Sequence, residues 1–145
     1  WVTALEEEVR DKGKHFAGLC LGMQLLADEG TEHGNHRGLG WITGTTVRLS
    51  DSSDPEVRIP HIGWNDVTIT PGSAMYAGLD GKATFYFVHS YALAPTDPTI
   101  VNGVCGHGAD FAASIECGNI WATQYHPEKS QKAGLKVLSN FLMAG

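Results

Sequence analysis

Cysteine is scarce in this sequence and does not pair off. Cys20, Cys105 and Cys117 make an odd count with no C-x-x-C spacing, which argues against a disulfide framework or a zinc site and for a reducing, cytoplasmic compartment. Long apolar runs are also missing. No stretch approaches the ~18 residues needed to span a bilayer, and Trp1-Val2-Thr3 does not resemble a secretion signal, so no membrane partner is expected. Basic residues number 10 against 16 acidic ones, for a net charge of −6. They are scattered rather than clustered, which disfavours nucleic acid or an anionic surface as partner. Linkers, charge blocks, repeats and low-complexity segments are absent, so the 145 residues are expected to form one domain burying roughly two thirds of its unfolded surface. An initiator methionine is lacking, and the sequence is expected to start inside a longer protein.

What is present is a pattern of short apolar segments punctuated by glycine. Val2, Leu5 and Val9 recur at helical spacing among acidic residues, ahead of a stop at Gly13. Residues 14–19 read as a buried strand, and residues 21–29 as a helix ended by Gly30. This order indicates an α/β protein with a parallel strand. Residues 31–40 read as a polar loop; His33 and His36 lack the further ligands a metal needs, so no metal is assigned. Residues 41–49 and 66–70 have strand character. Between them, 51–55 reads as a surface loop, and Pro60-His61-Ile62-Gly63-Trp64-Asn65 as a turn whose tryptophan packs on the core. Ser73 is placed to cap a short helix through Ala77. Residues 84–93 form the most aromatic strand, in which Tyr86, Val88 and Ser90 oppose Phe87, His89 and Tyr91. Strands at 100–105 and 111–116 precede a hairpin turn at Gly118-Asn119 into 120–125. A final helix is expected to place Leu135, Leu138, Phe141 and Leu142 against the sheet.

Chemistry concentrates in two places. Gly18-Leu19-Cys20-Leu21-Gly22, between the strand and the helix, is the cysteine counterpart of the strained turn G-x-S-x-G that exposes a nucleophile. At a helix N-terminus, backbone N–H groups and the macrodipole favour thiolate. The alternative is an inert buried cysteine. A cysteine nucleophile needs a base and a group that holds the base in one tautomer. His126-Pro127-Glu128 supplies both, because proline pushes the residue before it into the extended region. Residues two apart then project to one side, with Glu128 beside the His126 ring and the other ring nitrogen toward Cys20. Taken alone, this tripeptide also reads as a solvated surface turn.

Gly18-Leu19-Cys20-Leu21-Gly22-Met23-Gln24 together with Tyr125-His126-Pro127-Glu128-Lys129-Ser130 resembles the class I glutamine amidotransferases. Gly38-Leu39-Gly40-Trp41-Ile42, Pro60-His61-Ile62-Gly63-Trp64-Asn65, Tyr86-Phe87-Val88-His89-Ser90-Tyr91 and Ser130-Gln131 are similar to the glutaminase subunits of imidazole glycerol phosphate synthases. The resemblance implies a flavodoxin-like α/β fold: a mixed, mostly parallel sheet flanked by helices, here lacking the N-terminal strand-helix-strand and its glycine-rich oxyanion loop. It implies a Cys20–His126–Glu128 triad that hydrolyses glutamine through a glutamyl thioester, with the Leu21 N–H as one oxyanion donor and no cofactor. Gln24, Glu32, Ser90 and Tyr91 stand where the family contacts the amino-acid end of glutamine. Ammonia would pass to a (β/α)8-barrel cyclase subunit, with Trp64, Asn65, Tyr86 and Lys129 at or near that interface. Without the missing segment, the resemblance implies little activity for these residues alone. The other readings are the glutaminase domain of another class I amidotransferase, or a non-catalytic fragment of the same fold.

Overall fold

The alternating and punctuated segments assemble into two sheets in a computed structural model that describes residues 1–50 and 53–145. Of the expected loop at 51–55, Asp51 and Ser52 lie outside the described residues. Helix α1 (Val2–Leu5) continues as a π-helical turn, Glu6–Asp11, before β1 (Phe16–Leu19) and α2 (Leu21–Gln24). Short strands β2 (Glu29–Gly30) and β3 (His36–Arg37) precede β4 (Gly44–Arg48), β5 (His61–Ile69), β6 (Lys82–His89) and β7 (Tyr91–Pro95). Strands β8 (Val101–His107), β9 (Ala109–Cys117) and β10 (Ile120–Thr123) lead to α3 (Gln131–Ala144). The larger sheet has six strands in the order β1-β10-β9-β8-β5-β6, and the smaller has four in the order β3-β2-β4-β7. Among the described residues, no helix is long and apolar enough to cross a membrane.

The α/β class and the mixed sheet are as expected, but pairing within the described residues is mostly antiparallel. In the large sheet only β1 and β10 run parallel, while the other neighbours are antiparallel. The reason is connection length. Strands joined by tight turns, such as β8–β9 and β9–β10, can only be antiparallel neighbours, whereas a parallel pair needs a long crossover. The hairpin at Gly118-Asn119 forms where expected, pairing Cys117 with Ile120.

Several local expectations are corrected by tertiary partners. The helix after Cys20 ends at Gln24 rather than continuing to residue 29, because the carbonyls of Leu25, Leu26 and Ala27 accept N–H groups from Leu39, Gly40, Trp41 and Ile42. A Cβ at Gly38 would collide with the Ala27 carbonyl oxygen, so this close approach requires glycine. The polar loop at 31–40 contains β3, paired with β2. Ser73 caps no helix; its hydroxyl donates to Glu116 Oε2 at 2.7 Å, and only turns follow it. The motif read as a turn at 60–65 is the start of β5, and Trp64 does not pack on the core but is 50% exposed. In α3 the fully buried positions are Gly134 and Val137; of the four residues expected against the sheet, Leu138 and Phe141 are half-buried, Phe141 packing on the core, while Leu135 and Leu142 face solvent. The helix is rotated because Gly134 lets it press onto the Pro127 carbonyl, where any Cβ would clash.

Two apolar clusters lie on the sheet. One joins Met75, Tyr76, Phe85, Phe87, Tyr125 and Val137; the other joins Met23, Leu26, Trp41, Ile42, Leu93 and Ile115. Between them, the C-terminal ends of parallel β1 and β10 deliver Cys20 and His126 to the same end of the sheet.

Candidate active site

Cys20 sits one residue past β1, where its N–H donates to the Thr123 carbonyl at 2.8 Å and continues the β1–β10 ladder. Its backbone then turns sharply, with φ +50° and ψ −105°, a conformation that costs a non-glycine residue on the order of 1–3 kcal/mol. The Cys20 carbonyl accepts from Met23 N–H at 3.0 Å and Gln24 N–H at 3.3 Å, which opens α2. A Cβ on Gly18 would lie 2.9 Å from the Gly22 carbonyl oxygen, so the turn requires the first glycine. A Cβ on Gly22 would meet nothing within 4 Å, so sterics give no reason for the second.

The expected bias toward thiolate is reversed in this resting geometry. Burial pushes the Cys20 thiol up, against the opposing effects of the Leu21 N–H and the Gln124 side-chain amide. Helix α2 spans 4 residues, so few aligned peptide dipoles are available to offset desolvation. The thiol points toward the Val88 carbonyl at 3.9 Å, and Gln124 Nε2 donates to its sulfur at 3.6 Å.

His126 Nδ1 donates to Glu128 Oε1 at 2.7 Å. A carboxylate only accepts, so the neutral ring carries its proton on Nδ1 and leaves Nε2 bare, as a general base needs. The two residues meet by a different route from the one expected. His126 is extended, but Pro127–Lys129 forms a 3-10 turn, and Glu128 reaches the ring from that turn. His126 is pinned from several sides: its N–H donates to the Tyr86 carbonyl at 2.9 Å, and Ser130 Oγ donates to its carbonyl at 2.6 Å. Ser130 Oγ also accepts from Tyr86 N–H at 3.0 Å, so the loop covers the open edge of β6. Among the described residues, no hydrogen bond joins Cys20 to His126. Contacts of this kind often tighten only when substrate is bound.

The structure gathers the remaining expected residues around one opening. A pocket of about 160 Å³ is lined by Cys20, Leu21, Gln24, Glu32, Val88, His89, Ser90 and Tyr91. It is small beside the ~300–1,000 Å³ of sites for drug-sized ligands, a scale suited to a single small metabolite. Gln24 Nε2 donates to the Tyr91 carbonyl at 2.8 Å and to Gln124 Oε1 at 3.1 Å, so Gln24 is part of the wall rather than a free helix-surface residue. A larger, mostly apolar cavity of about 350 Å³ between β4, β7, β8 and β9 holds none of the residues singled out above.

Trp64 and Tyr86 pair across β5 and β6, with their rings edge to face at 5.8 Å. Exposed Ile62 and Val88 extend this outer face, and Lys129 is exposed on the loop beside His126. Asn65 turns the other way; its Nδ2 donates to the Gly106 carbonyl at 3.0 Å and lies 3.2 Å from His61 Nε2. Sequence reasoning missed Gln124, Ser130 and the Val88 carbonyl as parts of the site. Gln124, fully buried at 0% exposure, carries the one visible signal: a long polar side chain in an otherwise apolar strand end must find partners.

The family model "Glutamine amidotransferase class-I" matches residues 3–144. The imidazole glycerol phosphate synthase subunit HisH of Rhodospirillum rubrum is 46% identical over 142 residues, covering 97% of this chain and 66% of the relative. The protein of the same name from Zymomonas mobilis is 46% identical over 141 residues, covering 97% of this chain and 64% of the relative. The chain thus spans just under two thirds of the length of these relatives. In fold, it is similar to the crystal structure of a glutamine amidotransferase from Thermotoga maritima, with a TM-score of 0.63, 17% identity and coverage of 97% of this chain and 50% of that one. With the family model matching nearly its full length, the chain belongs to the class I glutamine amidotransferases.

Proposed function

We propose that this chain carries the glutamine-hydrolysing site of an imidazole glycerol phosphate synthase glutaminase subunit. The observation that carries the reading is the convergence of strained Cys20 with Gln24, Glu32, Ser90 and Tyr91 on one small pocket, beside a His126–Glu128 pair of catalytic polarity. In this reading Glu32 pairs with the α-ammonium of glutamine, and Gln24, Ser90 and Tyr91 contact its amino-acid end.

His126 Nε2 takes the proton from Cys20, and Sγ attacks the side-chain carboxamide carbon. The Leu21 N–H donates to the oxyanion, a contribution typically of about 3 kcal/mol in the transition state. The imidazolium, steadied by Glu128 through Nδ1–H, returns its proton to the leaving nitrogen, and ammonia departs from a glutamyl thioester. Water then attacks the thioester with His126 as base, releasing glutamate and restoring the thiol. Burial keeps resting Cys20 protonated, so the proton transfer is a required step rather than a formality.

The relatives are named as subunits of an imidazole glycerol phosphate synthase, and in this reading the assembly is a heterodimeric lyase of histidine biosynthesis in the cytoplasm. In it, ammonia would pass to a (β/α)8-barrel cyclase docked on the Trp64–Tyr86 face and Lys129. Buried aromatic anchors of this kind dominate interface energetics. A diazo-ketone glutamine analogue tests the site: with the cyclase present it should label the full-length protein at Cys20 and stop ammonia release. Labelling elsewhere, or continued hydrolysis after stoichiometric labelling, would reject the assignment.

A further inference from the structure

Behind the pocket, and reaching it through His89, lies a group of rings that the proposed reaction does not use. His61 and His89 face each other across β5 and β6, with His61 Nδ1 and His89 Nε2 2.9 Å apart. Phe87 stacks on the His61 ring at 4.7 Å and His107 at 4.0 Å between centroids. On the pocket side His89 Nδ1 lies 2.9 Å from the Tyr91 carbonyl.

The ring protons of His61 and His89 are assigned by their partners. The Tyr91 carbonyl can only accept, so His89 carries its proton on Nδ1 and presents a bare Nε2. His61 must then donate from Nδ1, which leaves its own Nε2 bare, and Asn65 Nδ2 donates to it at 3.2 Å. The Asn65 amide cannot be turned over, because its Oδ1 accepts from Asp66 N–H at 2.8 Å and its Nδ2 also donates to the Gly106 carbonyl. At the far end, Gln24 Nε2 donates to the same Tyr91 carbonyl and to Gln124 Oε1, which aims Gln124 Nε2 at the Cys20 sulfur. Burial and the neighbouring rings hold both histidines neutral, with His61 pulled down to about 3 and His89 to about 4.

We infer that Asn65, His61 and His89 are positioning residues: a directional hydrogen-bond relay from β5 that holds the Tyr91 carbonyl and, through it, the Gln24 and Gln124 amides around Cys20. This builds on the glutaminase reading above. The relay begins next to Trp64, so strand β5 carries the outward face on one side and sets the pocket wall on the other. In a buried chain of this kind each ring is acceptor to one neighbour and donor to the next, so removing His89 takes one of the two donors from the Tyr91 carbonyl and leaves the His61 Nδ1–H without an acceptor.

Two measurements on the full-length protein test it. Nitrogen-15 spectra of the histidine rings should show both His61 and His89 neutral, with the proton on Nδ1 and a bare Nε2; a proton on Nε2 of either ring overturns the relay. This result is independent of any activity. In glutaminase assays with the cyclase, His89→Phe keeps the ring volume but removes the donor, and should raise the KM for glutamine about tenfold, equivalent to about 1.4 kcal/mol, with a smaller change in kcat. His89→Asn places an amide donor where Nδ1 was and should restore KM to within about threefold of wild type. If packing alone mattered, His89→Phe would match or surpass His89→Asn, and that outcome rejects the proposal. A wild-type protein without glutaminase activity would reject the functional reading and leave the spectra to judge the relay.

Discussion

Histidine is used twice around the Cys20 pocket, in opposite electrostatic settings. His126 has a carboxylate at 2.7 Å and a side chain 19% exposed, whereas His61 and His89 are 3% and 6% exposed and have each other for neighbours. A carboxylate stabilises the imidazolium; desolvation and a second imidazole forbid it. In the proposed mechanism the first ring passes a proton during each turnover, whereas the buried pair holds its protons still. In the reading proposed above, what separates the ring that does chemistry from the rings that do geometry is the partner on Nδ1: a carboxylate for His126, a backbone carbonyl for His89 and the neighbouring imidazole for His61.

The comparison is broken or sharpened most strongly at the nucleophile. Cys20→Ala should lower glutamine-dependent turnover by at least about 10⁴-fold while leaving synthesis from added ammonia intact in the complex with the cyclase; equal loss of both would make Cys20 structural. Next in size, Glu128→Gln keeps the shape of the pair but removes the charge that supports His126, and kcat should fall about 100-fold with little change in KM. A KM effect instead would place Glu128 with the positioning rings.

The buried pair should reveal itself in acid. Because folding holds these rings neutral, the unfolded chain, titrating near 6.5, takes up protons first as the pH falls. Stability present above about 6.5 is then lost progressively toward the native values of about 4 for His89 and about 3 for His61. Urea midpoints should drop by the equivalent of about 2 kcal/mol between neutral pH and mild acid, and the drop should flatten in a His61→Asn, His89→Asn protein. A midpoint indifferent to pH in the wild type would mean the rings are solvated. The smallest effect is expected on the outer face of the same strand: Trp64→Ala should weaken cyclase binding by about 1–2 kcal/mol without moving the intrinsic affinity for glutamine, unlike changes at His61 three residues earlier.

The motif residues were legible because their chemistry demands residue types at short spacing. Cys20 with a glycine two residues to either side, and His126 two before Glu128, can be read without coordinates, as can the β9–β10 hairpin from Gly118-Asn119. The alternation that buries Phe85, Phe87 and His89 while Tyr86 and Val88 face outward was readable too, since a strand has period two. The end of α2 was not, because its last carbonyls are taken by residues 39–42, which no local propensity encodes. The rotation of α3 hung on a single glycine meeting a distant carbonyl. The Pro60-containing motif looked like a turn until β6 and β8 paired with the strand it begins.

Local sequence thus announced which groups are candidates to react, because bond-making needs a thiol, an imidazole and a carboxylate that local order can display. Only the tertiary structure decided their setting: that burial raises Cys20, that Asn65 donates to the Gly106 carbonyl, that His61 and His89 meet ring to ring with His89 on the Tyr91 carbonyl. Desolvation and hydrogen-bond direction depend on which strands come to lie side by side, and long-range pairing, such as that of β1 with β10 across most of the chain, is settled by packing of the whole core.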